Sequence, residues 1–294
     1  MRVSTSFQFE TYSSRIRDAQ SRYFEAQERV MSGKRFNRVS EDPVAAMTSI
    51  SARSLRSRLD QLRKNLLVAQ EYAGSTEHVL DETGQLARRA YTLAIQGASD
   101  ATTQESRDAM AREIGSLQQR VVDLANTQGS GGKYIFAGQM SDTKPFSATG
   151  GVLTFAGNTL PILVEVRPGE TMRANLENAD TFFADVYNAL ENLRVDLLGG
   201  DVGKISDEDV GAMRTVVDEI GTARGTTGVK LNDIKRLETE GQRRMDDLTK
   251  TISDNEDIDL AEAITQMQMA ETAYSAALQV TSQGFRLSLM DFLR

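Results

Sequence analysis

The chain has 294 residues, of which 39% are hydrophobic and 26% charged, and a formal net charge of −8; it contains one histidine, 4 prolines, and neither cysteine nor tryptophan. Disulfide and thiolate chemistry is therefore excluded, a zinc site made of histidine and cysteine lacks ligands, and the acidic balance speaks against general nucleic-acid binding. No apolar run reaches the eighteen or so residues of a membrane span, and Met1–Glu10 lacks a signal-peptide core, so neither membrane insertion nor Sec-type export is expected.

In chain order, Phe9, Tyr12, Ile16, Ala19, Tyr23, Ala26 and Val30 recur at spacings of three and four, which predicts a helix with a coiled-coil seam. Gly33 ends it. A basic segment leads to Ser40-Glu-Asp-Pro43, where Asp42 is placed to cap and Pro43 to open a second helix. That helix carries its seam from Leu55 through Leu66, Ala73 and Leu80 to Ala94, and about 50 residues would extend roughly 75 Å. A third helix is predicted from Gln104 to Gln128, folding back on the second.

After Gly129-Ser-Gly-Gly132 the pattern shortens to strand-like runs at Tyr134–Phe136, Val152–Phe155 and Leu160–Val166, then a helix near Thr181–Leu198. Long-helix character returns over Asp207–Ile252 despite Gly221, Gly225 and Gly228. Beyond an acidic break at Asp254–Asp259, the last helix sets Leu260, Ile264, Met267, Tyr274, Leu278, Phe285 and Phe292 on one seam. The expected fold is mainly α, with a long coiled-coil and helical-bundle stem formed by both chain ends and a small β-containing inserted domain. Two such terminal helices bury little alone. Neighbouring subunits are expected to cover the rest, so the pattern points to an assembling protein.

No catalytic, cofactor-binding or metal site emerges. His78 has no second histidine to form a ligand pair, and it reads as a surface residue. Gly129-Ser-Gly-Gly-Lys133 lacks the Ser or Thr after the lysine and the following helix that a phosphate loop needs, so a turn is expected. The acidic run has Leu260 where a calcium loop wants glycine. Arg53, Arg56, Arg58, Arg63 and Lys64 alternate with Leu55, Leu59 and Leu62 and read as a coiled-coil flank that pairs with acidic neighbours. Met267 and Met269 read as packing residues.

Several segments resemble the flagellin superfamily, and within it the hook-associated protein 3 family: Met1-Arg-Val-Ser-Thr-Ser6, Met31-Ser-Gly-Lys-Arg-Phe36, Ser40-Glu-Asp-Pro-Val-Ala-Ala46, Ala125-Asn-Thr127, Gly132-Lys-Tyr-Ile-Phe-Ala-Gly138 and Leu287-Ser-Leu-Met-Asp-Phe-Leu-Arg294. The resemblance covers residues 1–138 and 207–294. It implies a structural subunit of the bacterial flagellum, a hook-filament junction ring without catalysis, secreted by type III export to the extracellular flagellum. Implied partners are further copies of the chain, hook-associated protein 1, flagellin, an export chaperone and the type III export apparatus. The terminal seams, Phe9, Tyr12, Ile16, Tyr23 and Val30 with Leu260, Ile264, Met267, Tyr274, Leu278, Phe285 and Phe292, are the expected assembly interface. Asp42 and Pro43 match the family motif at a helix start. The expected domains are a terminal stem (1–41 plus 255–294), a long-helix bundle with a β-hairpin (42–138 plus 207–254) and an outer inserted domain (139–206). A filament-forming flagellin and a cytoplasmic coiled-coil adaptor are the alternatives.

Overall fold

The structure is a computed structural model that describes residues 2–292, with side-chain placement for residue 7 and residues 9–283. Its elements are α1 (Arg2–Ser32), α2 (Pro43–Gly97), α3 (Gln104–Ala125), β1 (Phe146–Thr149), β2 (Val152–Phe155), β3 (Leu163–Arg167), β4 (Glu170–Arg173), α4 (Ala179–Gly199), the short α5 (Val202–Lys204), a π-helical turn (Ile205–Asp209), α6 (Val210–Glu256) and α7 (Leu260–Phe292). No helix among the described residues is long and apolar enough to cross a membrane. The chain forms two compact units, one from residues 1–58 with 243–294, the other from 59–242.

In the first unit α1 and α7 pair. Tyr23 stacks on Tyr274 with ring centroids 6.3 Å apart and planes 7° from parallel. A bridge between Lys34 and Asp257 lies at the other end of the pair, which makes it antiparallel. Helix α1 stops where Gly33 takes φ 67°, a left-handed conformation cheap only for glycine. Helix α2 starts as its sequence dictates: Pro43 occupies the first position, and Asp42 Oδ1 accepts from Ala45 N at 3.0 Å.

The second unit is built on α2 from residue 59 to its C-terminal end and on most of α6. Its main cluster joins Leu93 of α2, Ile114 and Val121 of α3, Phe183 and Leu190 of α4, and Met213 of α6. Helix α3 folds back on α2 through a capped turn: Thr103 accepts from Ser106 N, and buried Arg107 donates to the carbonyls of Gly97 and Ser99, closing the end of α2. Leu197 packs so close to Gly97 that a Cβ there would lie 2.4 Å from its Cδ2.

Two hairpins occupy the inserted stretch. β1 pairs with β2 so that Phe146 faces Phe155, and Phe146 packs edge-on against Phe183. β3 pairs with β4 across Pro168-Gly169, with Val164 and Val166 buried against α2 and α6. Strands β1, Phe-Ser-Ala-Thr, and β4, Glu-Thr-Met-Arg, have no apolar alternation and are not foreseen from the sequence. Conversely, Tyr134–Phe136 is a closed loop and not a strand: Ile135 N bonds Thr127 O, Tyr134 N bonds Ser141 O, and Ile135 and Phe136 plug the main cluster. The apolar run there records burial, not extension. The third helix ends at Ala125, three residues before the expected Gln128, because Asn126 turns its side-chain amide back onto Val122 O.

Candidate functional site

The terminal pair carries two apolar stripes on α7. The inner stripe is Ala263, Met267, Ala270, Tyr274, Ala277 and Thr281, at spacings of four and three, all buried or half-buried. Small residues at every second contact let the helices approach closely. On α1 the facing residues Tyr12, Ile16, Tyr23 and Val30 are half-buried. The outer stripe is different. Leu260, Ile264 and Leu278 stand exposed at 54%, 41% and 44%, as do Phe9, Phe24 and Met31 on α1. The structure thus brings Tyr12, Ile16, Tyr23, Val30, Met267 and Tyr274 to the intramolecular seam and leaves Phe9, Leu260, Ile264 and Leu278 at its margins. The side chains of Phe285 and Phe292 lie outside the described residues.

At the base of the pair sits an anchor that sequence reasoning missed as a unit. The segment after Gly33 runs beside the α6–α7 turn: Arg35 N donates to Glu256 O at 2.6 Å, and Ile258 N donates to Gly33 O at 3.1 Å. The Glu256 carboxylate is almost wholly buried, ion-paired with the Arg53 guanidinium and with Lys34 Nζ at 3.5 Å. Burial pushes its pKa up, but the hydrogen bond and charge of Arg53 and the charge of Lys34 outweigh that and hold it below the usual carboxylate range. Asp42 closes the same segment, with Arg35 Nη2 2.9 Å from its Oδ2 while its Oδ1 caps α2. Asp259 does the equivalent for α7, accepting from Ala261 N at 2.9 Å. The break between α6 and α7 is therefore three residues, 257–259, in which Asp259 caps α7 and Asp257 accepts from the Ser253 hydroxyl.

The other tempting features resolve into local structure. His78 is exposed and lies 3.1 Å from Glu82, one turn away. The Gly129–Lys133 turn is held by Glu71, whose carboxylate accepts from the Ser130 hydroxyl and amide; these bonds lower its pKa. Arg63 and Lys64 pair with Asp60. Among the described residues no group of three His, Cys, Asp or Glu could hold a metal. What the geometry offers is an exposed apolar margin on a weakly buried helix pair, rigidly anchored at one end. Such a surface suits helix-in-groove association.

The chain is similar to proteins of the bacterial flagellum. Residues 3–141 match the bacterial flagellin N-terminal helical region. The flagellar hook-associated protein 3 of Escherichia coli is 23% identical over 99% of both chains. The flagellin of Salmonella typhimurium is 25% identical over 77% of this chain but only 43% of its own length. The crystal structure of the flagellar junction protein FlgL from Legionella pneumophila, 12% identical, has a TM-score of 0.56, covering 71% of this chain and 100% of that one. At that identity the last likeness speaks to fold alone. The resemblance to hook-associated protein 3 spans the whole chain, whereas the flagellin match does not.

Proposed function

From this full-length likeness to flagellar hook-associated protein 3, we propose that the chain is a structural subunit of the bacterial flagellum, joining the hook side to the flagellin filament without doing covalent chemistry. The observation that carries the reading over a filament flagellin is coverage: 99% of both chains with hook-associated protein 3, against 43% of a flagellin. A cytoplasmic adaptor would share neither likeness.

Its partners are further copies of itself in a ring, hook-associated protein 1 on one side and flagellin on the other, after type III export aided by a chaperone to the cell exterior. In the proposed division of labour, residues 1–41 with 255–294 form the assembling stem, 42–138 with 207–254 the supporting bundle, and 139–206 the outward domain. The terminal seams make the subunit contacts. Their exposed margin supports this, since exposed leucine and isoleucine aligned along one helix mark an interaction surface.

Immunogold labelling of intact cells tests the reading. Label at a single point between hook and filament is expected. Label along the filament would favour the flagellin alternative, and no surface label would favour the adaptor. Deletion of the gene is expected to leave hooks without stable filaments while flagellin escapes to the medium, and normal filaments in the deletion strain would overturn the junction role.

A further inference from the structure

The second unit contains two separate hydrophobic clusters strung along one helix pair. The larger includes Val79 and Ala87 of α2 with Val216 and Ile220 of α6. The smaller joins Leu66, Ala69 and Ala73 of α2 to Ile234 and Leu237 of α6. Among the described residues, half-buried Tyr72 packs against both.

The level between them can be fixed by register. A Cβ on Gly84 would lie 3.3 Å from Ile220 Cγ2, and Arg224 reaches Glu77 and Asp81, each at 2.7 Å. The same antiparallel register puts Thr76 level with Thr227 and Gly228. This level is a polar waist. Thr76 is 3% exposed and its hydroxyl has no partner, while Thr227, 5% exposed, turns its hydroxyl onto Ala223 O of its own helix. Leu80, 0% exposed, is the largest apolar side chain buried near this level, with Val79 of the larger cluster beside it in sequence.

Local helix preference is weakest at the same level in both helices. α6 reads Gly-Thr-Ala-Arg-Gly-Thr-Thr-Gly-Val over 221–229, and α2 reads Gly-Ser-Thr over 74–76. Glycine is roughly fivefold less favourable than alanine at a helix interior position, and threonine and valine are also below average. A Cβ at Gly74, Gly221, Gly225 or Gly228 would meet nothing within 4 Å, so no described residue requires their small size. Weak propensity, little apolar burial and an unpaired buried hydroxyl coincide, with well-packed helix on either side.

We propose that this waist is a hinge, at which α2 and α6 open and flex while the clusters on either side stay folded. Arg224, reaching from α6 to both Glu77 and Asp81, is the clasp that holds it closed. Regions of low apolar burial open locally below the global unfolding free energy, and weak formers in both helices lower that threshold further.

Hydrogen exchange on the full-length protein tests it. Amides of 221–229 are expected to exchange about 100-fold faster than those of 213–220 and 231–238. A variant carrying Thr76→Val, Thr227→Val, Gly225→Ala and Gly228→Ala is expected to bring the waist within about tenfold of its flanks and leave the flanks unchanged. Exchange of 213–238 as one uniform block, or a waist unaffected by the four substitutions, would overturn the hinge.

Discussion

Two buried carboxylates illustrate opposite uses of the same chemical group. Asp209, 3% exposed in the π-helical turn, leaves Oδ2 without a hydrogen-bond partner. Burial, with the nearby charges of Asp196 and Glu208 and despite Lys204, pushes its pKa up to about 6. The native state therefore binds more protons than the unfolded chain between about pH 4 and 6, so stability rises as pH falls through that window and Asp209 destabilises at neutral pH. Asp209→Asn is expected to stabilise the second unit at pH 7 by up to about 3 kcal/mol and to flatten its pH dependence between 4 and 6, as read by urea unfolding. Glu256 runs the other way. Its pKa is depressed, so its contribution is fully present above the unfolded value of about 4.3 and is lost as pH falls below it. Because Arg53 and Lys34 are half-exposed and can be rehydrated, Glu256→Gln is expected to cost only about 1–2 kcal/mol at pH 7, and nothing once the wild-type carboxylate is protonated. Equal pH profiles for variant and wild type would refute the anchor.

Among the elements, the start of α2 was fully legible: Asp42-Pro43 announces a cap and a first helical residue, and both roles are found. Asp42→Ala is expected to cost about 1 kcal/mol of thermal stability, more than Glu41→Ala. The seam of α1 was legible too, through Tyr12, Ile16, Tyr23 and Val30. The phase of α7 was harder. Choosing large side chains selects Leu260, Ile264 and Leu278, yet the close pair buries Ala263, Ala270 and Ala277 one step round the helix. The alternating four-three spacing of those alanines was present in the sequence, but alanine is equally at home on any helix face, so periodicity of size misleads where helices approach closely. Strands β1 and β4 were invisible because each leaves most of its side chains exposed or half-exposed and so needs no apolar alternation, and Phe136 misled because a core plug in a loop is as apolar as a strand. The anchor at Glu256 escaped because its parts lie about two hundred residues apart in sequence, and ion pairing leaves no period. A seam only half-buried on one side should open readily. In the isolated monomer, amides of 10–32 and 260–283 are expected to exchange faster than those of α3 and α4, and equal protection would show that the pair is stable without neighbours.

For the molecule as a whole, the two stripes of α7 separate folding from assembly. The inner stripe, with Tyr274 stacked on Tyr23, holds the chain's own ends together. The outer stripe makes no comparable claim on the monomer, because its leucines and isoleucine stay 41–54% exposed. Substitution at such exposed positions usually changes stability by less than about 0.5 kcal/mol each. The triple change Leu260→Ser, Ile264→Ser and Leu278→Ser is therefore expected to leave the monomer's unfolding midpoint nearly unchanged while sharply reducing incorporation at the base of the filament, scored by motility and by electron microscopy of purified flagella. Tyr274→Ala acts on the inner stripe and is expected to lower both, because removing a half-buried aromatic ring stacked on Tyr23 loosens the pair before any neighbour arrives. Should the triple variant unfold as readily as Tyr274→Ala, the outer stripe would belong to the monomer's own fold. If it folded and still assembled normally, the subunit contacts would have to lie elsewhere.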